Sequence, residues 1–286
     1  NYVRWAVING LTYQDSLGAN PWKLGFAGGT DNHNGAPSDV AEDDYIGSHG
    51  PFDDTVQARR TLEIDGWIAS RESNPGSIMG VWAPKNTRAA IWDAMWNRET
   101  FVTSGPRIRV RFFGGQDVPE PSNASSLVVD GYAQGVPMGG TLAELTAPPS
   151  FTVHAARDPE GANLDRIQII KGWVDEQGHS QERIIDVVWA GERALDENGR
   201  LPLVGNTVSL EDATYTNEIG SAELIGYWQD DDFDPSKPAV YYVRVIEIPT
   251  PRFTTYDAVR NGLPLLEDVP ATIQERAWTS PIWYEP

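Results

Sequence analysis

Two successive textures in this 286-residue chain predict an α/β unit over residues 1–108 followed by an all-β antiparallel sandwich over residues 109–286. Three observations carry that division. Near-helical apolar spacing leads through a turn into a short apolar run and a polar motif, the order of an α/β barrel unit. Beyond Pro106, charged and apolar residues alternate over strand-length segments separated by turn-rich stretches, the signature of a sandwich. No internal repeat or low-complexity tract interrupts either part.

Within the first part, Val3, Ala6, Val7, Leu11 and Leu17 recur at helical spacing, and Gly18 supplies the stop. No capping residue or methionine precedes this pattern, so the chain is expected to begin inside a longer protein. The Asn20-Pro21 turn leads into an expected strand over residues 24–27, and Asp31 and His33 follow at its C-terminal end, where barrel enzymes carry their sites. Residues 34–80 are rich in Gly, Pro, Asp and Ser and read as a long site loop or lid, with surface decoration as the alternative. A second helix is expected from Asn86, a good N-cap residue, through Ile91, Ala94 and Met95 to Arg98. Residues 99–106 then end it and start a strand.

In the second part, strands are expected over residues 107–113, 151–157, 166–171, 183–189, 222–228 and 240–248. A sandwich built on them buries its alternate side chains between two sheets. Trp173, Trp189, Trp228, Trp278 and Trp283 then either form a sugar-stacking platform or, more commonly for such strands, fill the core.

Composition removes several function classes. The net charge of -19 disfavours nucleic acid and anionic membranes, which are bound by clustered Lys and Arg. With no cysteine, there are no disulfides, zinc ribbons, iron–sulfur clusters or thiol nucleophiles. No apolar run approaches the roughly 20 residues that span a bilayer. The absence of a Gly-x-Ser-x-Gly elbow leaves a serine hydrolase unsupported.

The chemistry concentrates in a few segments. Asp31 and His33 stand two residues apart in Gly28-Gly29-Thr30-Asp31-Asn32-His33, so on an extended backbone both side chains reach one ion. Carboxylate with neutral imidazole suits Zn, Mn or Fe better than calcium. A turn in which Asp31 caps a backbone amide is the alternative reading. His49 lies between Ser48 and Gly50, where it can orient a substrate or transfer a proton; a solvent-exposed loop histidine is the alternative. Ser104 and Arg107, in Thr103-Ser104-Gly105-Pro106-Arg107, offer a hydroxyl and a guanidinium to an oxyanion, or else a turn and an ion pair. His154 and His179 read as structural or exposed, and the acidic run Asp230-Asp231-Asp232 as a solvated turn.

Several segments together resemble a bacterial family catalogued as domain of unknown function 3604 and assigned to the PHP (polymerase and histidinol phosphatase) superfamily of metal-dependent hydrolases. The likeness is carried by Gly18-Ala19-Asn20-Pro21, residues 25–33, Glu42-Asp43-Asp44-Tyr45-Ile46-Gly47, Thr87-Arg88, residues 103–107, Pro137-Met138-Gly139-Gly140 and residues 274–284. It implies that residues 1–108 form the C-terminal part of a distorted PHP-type β/α barrel holding divalent metals. By that resemblance the Asp-x-His pair Asp31 and His33 is the last metal-ligand motif. The superfamily opens its site with a His-x-His motif that this sequence lacks, so the remaining ligands are expected from an N-terminal portion of the same protein.

The function expected is hydrolysis of a phosphoester, or of another ester or amide, in a small-molecule substrate by metal-activated water. His49, Arg107 and Ser104 would position substrate or stabilise charge. A non-catalytic binding or docking module built on the sandwich is the alternative. An acidic, cysteine-free hydrolase of this kind is expected in the periplasm or outside the cell.

Overall fold

The structure is a computed structural model that describes residues 2–36, 40–64 and 68–286. It is a mixed α/β molecule with most of its regular structure in sheets. Five α-helices occur among the described residues: α1 (Val3–Leu17), α2 (Val56–Thr61), α3 (Arg88–Trp96), α4 (Ala124–Gln134) and α5 (Phe253–Arg260). None is long and apolar enough to cross a membrane.

The alternating segments become strands as expected, each within a few residues of its predicted limits. Arg109–Gly115 pairs with Ser150–Ala156, which pairs with Glu223–Gln229, and Val136–Pro137 completes a four-stranded antiparallel sheet. An eight-stranded sheet runs from Ser180–Trp189 through Leu164–Val174, Ala239–Glu247, Arg276–Thr279 and Thr100–Thr103 to Ile78–Val81. Ile282–Glu285 also pairs with Ala239–Glu247 and, in parallel, with Thr141–Ala143.

The two sheets close on one apolar core. Val110, Phe112, Phe151 and Val153 from the smaller sheet meet Ile167, Ile169, Tyr241, Val243 and Val245 from the larger, all fully buried. Aromatic rings fill its centre, with Phe151 lying 4.4 Å from Tyr241 and 5.7 Å from Phe112 between ring centroids. Leu164–Val174 is buried along nearly its whole length because its other face is also covered. There α1 lays Val7, Ile8 and Leu11 against Ile170, Val174, Val240, Tyr242 and Trp283. Trp228 packs against the core and Trp283 is 1% exposed, so these two serve packing, while Trp173, Trp189 and Trp278 are partly buried. On the outside of the smaller sheet, α4 sets Tyr132 edge-on to Phe113, and Asn123 with Ser126 forms its capping box.

Three expectations are corrected. Residues 24–27 form no ladder, because hydroxyl side chains take up their backbone groups: Phe26 N donates to Ser280 Oγ at 2.8 Å, and Thr100 Oγ1 donates to Phe26 O at 2.7 Å. The cap of α3 is Thr87, whose hydroxyl accepts from Ala90 N, rather than Asn86. Asp230 is not a solvated turn residue; it is buried, accepting from Lys171 Nζ at 2.8 Å and Tyr241 Oη at 2.7 Å. Residues 34–80 hold short turns, α2 and three short strands among the described residues.

The described residues form no closed barrel. Ile78–Val81 and Thr100–Thr103 instead extend the larger sheet through the register Thr103 to Ala277. The sheet therefore runs unbroken from the first part of the sequence into the second.

Candidate functional site

The ends of two neighbouring strands make the floor of a cleft. Val102 and Trp278 stand opposite each other in the register and both face into it. Around them gather Thr30 and Asp31, Ser48 and His49, residues 73–77, Ser104 and residues 273–276, enclosing about 640 Å³. The 25–29 segment reaches this position by close backbone approach: a Cβ on Gly28 would fall 2.3 Å from Val102 Cγ2. Ser77 then stitches Gly29 in place, accepting from its N–H at 3.0 Å and donating to its carbonyl at 2.9 Å.

His49 is fixed from below by a carboxylate. Asp53 is wholly buried and accepts from Ser48 N at 3.0 Å and His49 N at 2.7 Å, with His49 Nδ1 3.1 Å from its Oδ2. Such a partner fixes ring orientation and favours the proton on Nδ1 in the neutral imidazole. Gly47 makes the turn possible at φ +100°, and a Cβ there would lie 2.4 Å from Asp53 O. The segment bearing His33 is tied to the same turn, because His33 N donates to Ser48 O and Asn34 Nδ2 to Gly47 O, both at 2.7 Å. In consequence the His33 and His49 rings stack, with centroids 5.9 Å apart and planes within 4°.

Asp31 lines the cleft in a left-handed conformation at φ +54°. An extended backbone carrying Asp31 and His33 on one side is thus not what forms: Asp31 borders the cleft, and His33, outside its lining, stacks on His49. Among the described residues, no group of three or more His, Asp or Glu converges on a position for a metal ion. The residues present offer part of a donor set: the exposed Asp31 carboxylate and the His49 imidazole in the cleft lining, with His33 stacked on His49.

Ser104 and Arg107 part company. Ser104 borders the cleft, donates its hydroxyl to Glu275 Oε2 and accepts from Arg276 N at 2.8 Å. Arg107 lines a neighbouring pocket of about 290 Å³, where its backbone N–H donates to Asp158 Oδ2 at 2.7 Å. Glu275 borders both cavities. Burial pushes its carboxyl up from the ordinary range, and burial beside Glu275 pushes Glu42 up to about 8. Elsewhere His154 pairs with Glu223 at 2.5 Å, and the exposed His179 lies 3.8 Å from Asp175.

The sequence reading did not pick out Asp53 or Glu275 as site residues, and it set Trp278 in a tryptophan platform or the core rather than in this cleft. Asp53 follows His49 by four positions, a spacing that offers a signal. Glu275 gave none, and the place of Trp278 opposite Val102 is set by strand pairing alone.

A family described as "Protein of unknown function (DUF3604)" matches the chain over residues 1–286. No curated protein and no solved structure matches it.

Proposed function

We propose a role in hydrolysis by metal-activated water for this chain, which belongs to the DUF3604 family over its whole length. The observations that carry the reading are Asp31 and His49 in the lining of a cleft large enough for a small molecule, and the stacking of His33 on His49. Asp31 and His33 would hold a divalent ion, Zn, Mn or Fe by donor type, as the last ligands of a PHP-type site. Its further ligands would come from an N-terminal portion of the same protein, which would also complete the barrel. When bound, the metal lowers the pKa of a coordinated water towards neutrality.

The chain's own residues have distinct tasks in this reading. His49, oriented by Asp53, exchanges a proton with water, with the leaving oxygen of a phosphoester or ester, or with the leaving nitrogen of an amide. Ser104 has its hydroxyl engaged with Glu275, so it acts by holding that carboxyl at the cleft wall. Arg107, in the adjoining pocket, would meet only a substrate extended past Glu275. The site is proposed to work in the periplasm or outside the cell.

The test is the double variant Asp31→Ala with His33→Ala in protein that includes the N-terminal portion. Metal content by elemental analysis and turnover of a generic phosphoester should both fall to background. Turnover at the unaltered rate would remove the reading.

A further inference from the structure

The pocket next to the cleft is built from acids. Glu42, Asp43, Asp158, Glu160, Glu247 and Glu275 line it, with Arg107 as the one basic residue in its wall among those described. Tyr215 and Tyr256 complete the lining of a space of about 290 Å³. Glu247 is 1% exposed, Glu275 4% and Asp158 8%, so these three carboxyls are buried, while Asp43 and Glu160 reach the surface.

Their hydrogen bonding is incomplete. Glu247 Oε1 is buried and has no donor among the described residues, and neither has Glu42 Oε1, which faces only the Glu275 carboxyl as a group with which to share a proton. The nearby arginines spend their N–H groups on backbone carbonyls: Arg157 on those of Asp158, Pro159 and Gly161, Arg252 on those of Arg71 and Ser73, and Arg260 on that of Asp43. Buried acceptors left without donors are costly, of the order of 1–3 kcal/mol each, and so mark a place where a donor is missing.

We propose that this pocket binds a small organic cation, an alkylammonium or guanidinium group, with Glu247 and Glu42 accepting its N–H donors. An ammonium carries three donors and a guanidinium five, which suits acceptors spread around a cavity. A bare metal ion is disfavoured because no three acids converge closely enough to hold one among the described residues. Tyr215 adds an aromatic wall, whereas the Tyr256 ring already has the Arg260 guanidinium over it at 5.0 Å.

Proton linkage follows from the same surroundings. Without a cation, burial and the neighbouring Glu275 and Asp158 carboxylates hold Glu247 far above the carboxylate range against the pull of Arg157. Burial and Glu275 raise Glu42 to about 8 against Arg252 and the Phe253 N–H. A bound cation takes the place of those protons, so binding releases protons and tightens as pH rises. Tyr215 and Tyr256 stay protonated throughout, as burial raises both.

Isothermal titration calorimetry of the full chain with n-butylamine and with agmatine, at about pH 6.5 and about pH 8.5 in buffers of unlike ionisation heat, tests this. Saturable single-site binding is expected, with proton release and about tenfold higher affinity at the higher pH. Glu247→Gln should weaken binding about tenfold, whereas Glu176→Gln, in the exposed turn after Val174 and outside this pocket's lining, should leave it unchanged. Circular dichroism checks each fold, and Glu42→Gln takes the place of Glu247→Gln if that variant is unfolded. Absence of saturable binding at both pH values, full affinity in the folded glutamine variant, or displacement of n-butylamine by equimolar calcium or manganese would each overturn the assignment. Glu247 lines this pocket and not the cleft, so the result is independent of hydrolysis at Asp31 and His33.

Discussion

The sandwich and the stretch from Asn20 to Asp53 are held together in opposite ways. In the sandwich, backbone pairs with backbone over long ladders, and Leu164–Val174 alone has partners on both edges and packed layers on both faces. Among the described residues from Asn20 to Asp53 no ladder forms, and side chains supply many of the fixing bonds to backbone, Asn20 to Trp22 N, Ser280 to Phe26 N, Ser77 to Gly29, Asn34 to Gly47 O and Asp53 to Ser48 and His49, beside isolated backbone bonds such as His33 N to Ser48 O. A ladder shares its load among many equivalent bonds, so it resists local opening. A side-chain latch fails when one residue changes, which makes the site-bearing stretch the first to open.

That contrast can be broken by mutation, and the largest effect belongs to the core. Phe151→Ala removes a ring packed among Phe112, Trp228 and Tyr241 and should cost about 3–5 kcal/mol in denaturant unfolding. A loss under about 1 kcal/mol would mean that the core is far looser than its burial indicates. Asp53→Ala strands the buried donors of Ser48 and His49 and should cost about 2–3 kcal/mol. Its mark is faster amide exchange confined to residues 47–53, with Asp53→Asn recovering part of the loss; uniform acceleration over the sandwich would erase the distinction.

Smaller effects sharpen the comparison further. Glu42 has a folded-state pKa raised from 4.5 to about 8, so the folded protein binds more protons than the unfolded one within that window. Stability should therefore be fullest at the acidic end and fall as pH rises from about 4.5 to about 8, by at most about 1.4 kcal/mol per pH unit for this group. Glu42→Gln should flatten that slope in thermal unfolding measured across the window; an unchanged slope would exclude Glu42 as its source. Thr87→Ala should cost about 1 kcal/mol through the lost cap of α3. Lys237→Ala, which breaks an exposed pair with Asp234, should change stability by less than about 0.5 kcal/mol.

The same contrast explains what could be read from the sequence. Alternating burial is written residue by residue, so the strands at Arg109–Gly115 and Ala239–Glu247 were visible, as was α1 from its apolar spacing and Gly18. Residues 24–27 misled because a short apolar run looks the same whether its partners are strands or hydroxyls. Extended geometry at Asp31 was likewise a strand inference, and the turn at φ +54° overrode it. The cleft stayed hidden because its floor is a register between Val102 and Trp278, which no local pattern encodes. Burial of Asp230 escaped for a similar reason: its partner Lys171 sits 59 residues earlier on another strand.

Ser104 meets Glu275 across 171 residues, Thr100 meets Ser280 across 180, and Arg4 meets Glu182 across 178. During vectorial synthesis the cleft wall would therefore wait, one edge of its sheet unsatisfied, until the ribosome has delivered Arg276–Thr279. Long-range closure of this kind slows folding and leaves strand edges open to other chains. Thr100–Thr103, whose free edge waits for that strand, is the segment a nascent-chain chaperone would have reason to cover.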